Sequence, residues 1–223
     1  MVREILFFIF SIGLTATSIC IGRKTVFNEL KQTEDDEICQ KGRAIWTPVC
    51  ITGFAGVSIL FAFCRTIPLE RLFFLLYVFL YSSLIGLVDF YSHNYYLEML
   101  PGLLLFIPIG CITWGIADGL CGLLAGICLG FILAFTEWLF FRRLSYGGGD
   151  TVYGAAASAL VGYSNFFLYW GFFTLILIIA AAVHVIFVRT VRKQSIEKNK
   201  FVPLLPWFSF MTTFFYAVLI TNS

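Results

Sequence analysis

Apolar residues fill the chain in long runs that glycine, proline and charge interrupt. A helix needs about 20 apolar residues to cross about 30 Å of hydrocarbon, and cutting the sequence on that measure predicts eight helical spans. They run near 4–22, 46–64, 72–89, 100–116, 119–140, 150–163, 166–188 and 204–220. The fold expected is therefore all-α, a polytopic transmembrane helical bundle. The cuts at Gly115 to Gly119 and at Gly162 to Asn165 carry the least punctuation. Residues 150–188 are too many for one span and too few for two full ones, which predicts a tight hairpin. Gly122, Gly126 and Gly130 recur at every fourth place and predict a face for close helix packing.

Composition supports the bilayer. Of 223 residues, 60% are hydrophobic and 13% charged, with a mean hydropathy of +0.90, whereas a soluble domain carries about 25% charged residues. Fifteen Lys and Arg nearly cancel thirteen Asp and Glu, which argues against a nucleic-acid partner. The seven cysteines include no CxxC pair and read as small buried hydrophobes, not as metal ligands or a disulfide framework.

Cations concentrate in short cytoplasmic loops. With eight spans, twelve of the fifteen fall on one side: five within residues 23–43, Arg142 with Arg143, and five within residues 189–200. Arg3, Arg65 and Arg71 fall on the other. Both termini are then expected outside, and the opening apolar stretch reads as an uncleaved helix because the heavier charge follows it. Residues 1–71 form two spans joined by a short polar cytoplasmic loop, and residues 72–223 a six-helix core.

Ionisable groups at membrane depth are costly and usually functional. Outside the basic loops the carboxylates are Glu4, Glu70, Asp89, Glu98, Asp118, Glu137 and Asp150. Asp89 closes a long apolar run and Asp150 follows Gly147, Gly148 and Gly149, and both are expected on the cytoplasmic side. Were the Asp150 helix to end at the outer surface near Tyr163, thirteen steps would cover about 20 Å and leave the carboxylate inside the inner boundary. Two carboxyls sharing one proton titrate as a pair, one deprotonating a water and the other, protonated, polarising a scissile carbonyl. The three glycines could take positive φ and admit a substrate backbone. No GK[ST] follows them, which excludes a phosphate loop. Of the other polar groups, His93 reads as interfacial, His184 as packed, and Glu137 as reaching for the surface.

Gly147-Gly148-Gly149-Asp150 matches a GxGD signature, and the small residues Gly154 to Gly162 after it resemble the corresponding helix of type IV prepilin peptidases. Asp89 is similar to the family's other aspartate, and Val202-Pro203-Leu204-Leu205-Pro206 to its P-x-G-P segment. The resemblance covers roughly residues 72–220. It implies an aspartic endopeptidase that removes the cytoplasmic leader of prepilin or pseudopilin precursors in a bacterial inner membrane, with Asp89 and Asp150 catalytic and Gly147, Gly148 and Gly149 shaping the substrate site. The partners implied are a membrane-inserted precursor and the lipid bilayer, with no metal or cofactor. Where the family carries proline and lysine, this chain has Tyr96 and Val152. Residues 23–44 stand in place of a paired-CxxC zinc region, so no methyltransferase activity is expected. The rival readings are a proton or cation transporter using the same aspartates and an inactive family member.

Overall fold

A computed structural model describes residues 67–92, 99–142, 148–190 and 205–222, together with positions 5, 7, 9 and 13. Among the described residues the fold is all-helical. Helix α1, Leu69–Ser92, starts directly after Pro68, whose carbonyl accepts the Leu72 N–H at 3.0 Å. Pro101 occupies the first turn of α2, Leu100–Leu104, where its missing N–H costs nothing. The turn residue Leu105 leads into α3, Phe106–Trp114. Gly115, at φ 103°, ends α3 in a conformation that side chains disfavour and opens α4, Ile116–Phe141.

At 26 residues α4 is about 39 Å long, enough to cross a bilayer. Arg142 stops it in the left-handed conformation, donating its N–H to the Trp138 carbonyl at 3.0 Å, and its guanidinium lies 5.1 Å from the Trp138 ring centre. Helix α5, Gly148–Val161, packs against α4, and α6, Phe166–Thr190, follows after a short 3-10 turn. The last helix, α7, Leu205–Asn222, lies along α1.

Helix α5 is the centre of the bundle. Every residue from Tyr153 to Val161 is buried, and most are Ala, Gly or Ser, so neighbouring backbones come close on several sides. One such approach is from α4: a Cβ on Gly126 would lie 2.7 Å from Ala155 Cα. Gly122 meets Ser158, and Gly130 meets Thr151. The glycine face thus packs as its spacing predicts, with the two helices antiparallel. The rest of α4 is apolar and exposed, Phe131 at 68% and Phe140 at 72%. That face suits lipid and not water.

Among the described residues two helices, α1 and α4, are long and apolar enough to cross a membrane, and α5 with α6 makes a third if that bent pair is one span. The eight expected spans are therefore not all accounted for within the described residues. The expected spans 4–22 and 46–64 fall outside the described residues, apart from the four isolated positions. The segment 100–116 becomes two short helices ending at Trp114. The expected tight hairpin is likewise corrected, because α5 and α6 meet at 104°. A polar corner sets that angle. Gly162, at φ 77°, turns the chain, and Asp118 reaches from α4 to accept from the Ser164 N–H at 3.0 Å and its hydroxyl at 2.8 Å.

The cysteine reading is corrected in part. Cys121 and Cys128 stand exposed on the outer face of α4, where a thiol is apolar enough to meet lipid, and Cys111 is half-buried.

Candidate functional site at the Asp150 end of the bundle

The helical ladder of α5 begins at Gly148, so Asp150 lies inside its first turn, where the unpaired N–H groups and the helix dipole favour an anion. Asp150 and Gly149 are half-buried, and Gly148 is exposed. The expectation of positive φ is corrected at Gly148 and Gly149, both of which are helical with φ outside the left-handed region. Continuing the helix through them satisfies more backbone groups than an irregular loop would. Gly147 lies outside the described residues. Among the described residues, a Cβ at Gly148 would meet nothing within 4 Å.

The packing of α4 gives the position of Asp150 along the bundle. Thr151 sits against Gly130, so Asp150 lies about one step beyond, and α4 continues eleven residues past Gly130 to Phe141, about 16 Å. Trp138 and Arg142, an aromatic and a cation of the kind that settle at headgroup level, mark that end. Position 150 therefore stands about 10.5 Å short of Trp138, measured along the helix.

Four contacts give the direction of α1 relative to α5. The Tyr77 hydroxyl donates to the Gly102 carbonyl at 2.7 Å and the Tyr81 hydroxyl to that of Met99, so α1 runs against α2. Phe106 rests edge-on against Tyr153, and Gly110 packs on the Ala159 carbonyl, so α3 runs with α5. Helix α1 is therefore antiparallel to α5. The Tyr153 hydroxyl donates to Ser82 Oγ at 2.9 Å and levels the two.

Position 89 lies two turns beyond Ser82 on the same face of α1, about 10.5 Å along the axis. Asp150 lies about 4.5 Å from Tyr153 in the same direction. Positions 89 and 150 thus stand at one end of the bundle, about 6 Å apart in height. From 87 to 92 α1 is described by its backbone alone, so the Asp89 carboxylate itself lies outside the described side chains. The start of α7 belongs to the same end, because Phe208 packs on Tyr153 while Tyr216 meets Thr113, so α7 runs with α5 and carries Leu205 and Pro206 toward position 150. Residues 202–204 are outside the described residues.

Asp118 is at the opposite end, tied to Ser164, and belongs to the corner. Glu137 is half-buried on α4, His184 is described only as a helical position, and His93 lies outside the described residues. Reasoning from apolar runs missed the buried hydroxyls beneath the aspartate end: Ser82, Tyr153, Ser209 and Thr212. The available signal was their polarity within otherwise apolar helices, since a hydroxyl in hydrocarbon requires a partner. No known protein family, characterised protein or solved structure matches the chain.

Proposed function

We propose that the protein is a membrane aspartic endopeptidase that removes the cytoplasmic leader from type IV prepilin or pseudopilin precursors in a bacterial inner membrane. The observation that carries the reading is the common end of the bundle shared by position 89, Asp150 and the start of α7, with Asp150 well inside the end of α4. Those are the three segments whose residues resemble the prepilin peptidases. A carboxylate at that depth needs water, a partner or a proton. A second aspartate sharing one proton supplies the partner, and the pair then provides a base for water and an acid for the scissile carbonyl. Neither metal nor cofactor enters this chemistry. The described residues leave space around Gly148 in which a substrate backbone could lie, and the exposed apolar side of α4 offers lipid-filled surroundings for a precursor's own helix.

The test is co-expression with candidate precursors, following leader loss by gel mobility. Asp89→Asn and Asp150→Asn are each expected to reduce processing by about 100-fold or more while the protein still inserts. Processing by either variant at the parent rate overturns the proposal. So does a parent chain that leaves all such precursors uncut and instead moves protons or cations in a carboxylate-dependent way.

A further inference from the structure

Beneath the aspartate end, polar groups of the core gather around one side chain. The Tyr153 hydroxyl is fully buried and donates to Ser82 Oγ, and the hydroxyls of Thr212 and Ser209 adjoin it. Thr212 donates to the Phe208 carbonyl at 2.7 Å, so the 2.8 Å contact with Tyr169 must take its proton from the tyrosine. Ser209 Oγ is buried beside them and completes no hydrogen bond. Two hydroxyl pairs thus lie side by side, Tyr153 with Ser82 tying α5 to α1 and Tyr169 with Thr212 tying α6 to α7.

We propose that Tyr153 is a positioning residue whose hydroxyl, clasped by Ser82 on α1 and set among Ser209 and Thr212 on α7, fixes the register of the two aspartate-bearing helices. The proposal rests on the peptidase reading. Helix α1 packs chiefly on α7, and the Tyr153 to Ser82 bond is a direct polar tie from α1 to α5. Apolar side chains allow one helix to slide along another with little directional preference, whereas a hydrogen bond in hydrocarbon is lost within one helical step of about 1.5 Å. Asp150 is one turn from Tyr153 and position 89 two turns from Ser82, so a slip at the hydroxyls passes directly into the separation of the carboxylates. Tyr153 does not touch the reacting atoms. It acts through the helices that carry them.

The experiment compares the parent, Tyr153→Phe, and the double variant Ser82→Ala with Tyr153→Phe. Nitroxide labels at positions 92 and 148 of a cysteine-free chain report the distance between the two helix ends, and precursor processing reports kcat and KM. Tyr153→Phe is expected to shift or broaden the distance by about 1.5 Å or more and to lower kcat about fivefold at unchanged KM. The double variant leaves no orphan hydroxyl on either helix of that pair, so thermal stability should recover while distance and kcat do not. Parent-like distance and kcat in Tyr153→Phe overturn the proposal, as does recovery of both along with stability in the double variant. A parent chain that cuts no precursor refutes the peptidase reading, and the distance measurement still decides whether Tyr153 sets the register.

Discussion

Replacing Gly126 by alanine adds one methyl group in the middle of the α4 to α5 contact, against backbone. That carbon would stand 2.7 Å from Ala155 Cα and from Ser158 Oγ, and 2.8 Å from Ser158 Cβ, where ordinary contact is about 3.5 to 4.0 Å. None of the three atoms can move alone. Ala155 Cα is backbone, and Ser158 is locked, donating to the Gly154 carbonyl at 2.7 Å and accepting from Trp170 Nε1 at 2.9 Å. The helices must therefore separate by most of an ångström, an overpacking cost of about 2 to 3 kcal/mol. Alanine's better helix propensity offsets about 1 kcal/mol. The net loss of about 1 to 2 kcal/mol corresponds to a Tm lower by about 2 to 8 °C in detergent. The matched control is Gly171→Ala on α6, where a Cβ meets nothing within 4 Å and the propensity gain stands unopposed. A Gly126→Ala protein as stable as Gly171→Ala would refute the packing argument.

The corner at the other end yields two further expectations. Asp118→Ala should cost about 1 kcal/mol by removing the acceptor for Ser164, while Asp118→Asn, which keeps an oxygen there, should cost less, and neither should change precursor processing; thermal melts and leader assays check both. Gly162→Ala places a methyl against the Asp118 carboxylate at a positive φ and should destabilise by more than about 1 kcal/mol, read as a fall in Tm. Asp150→Asn gives up the attraction between an anion and the helix dipole, about 0.3 to 1 kcal/mol, so its melting temperature should stay within a few degrees of the parent while processing collapses.

Features written into short stretches of sequence were the most legible. The glycine face of α4 followed from a four-residue spacing, and the break between α3 and α4 falls at Gly115, inside a cut the apolar pattern had already located. The start of α5 came within two residues of Asp150 because glycine and charge adjoin there. The α5 to α6 angle was not legible. It depends on Asp118 meeting Ser164, 46 positions away, and on the backbone of Gly162. The separate helices within the expected spans were hidden for a related reason: Leu100–Trp114 and Gly148–Val161 are apolar enough for a bilayer but short, and apolarity alone does not show where a helix turns. At the candidate site, the residue types and order of Asp89 and Asp150 could be read directly. Their common level depended on the Tyr153 to Ser82 bond, a pairing of two hydroxyls 71 positions apart that no local pattern announces.

The central claim is that the carboxylates at 89 and 150 work within reach of one another, and chemical cross-linking in native membranes tests it most directly. A chain cleared of its native cysteines would carry Asp89→Cys with Asp150→Cys, treated with a short bis-maleimide. A second cysteine-free chain would carry Asp118→Cys with Ser164→Cys as the positive control, since those two side chains meet at 2.8 Å at the corner between α4 and α6. The account predicts a cross-link between 89 and 150 in yield comparable to the control. A control that cross-links while 89 and 150 do not, with or without precursor present, would contradict it.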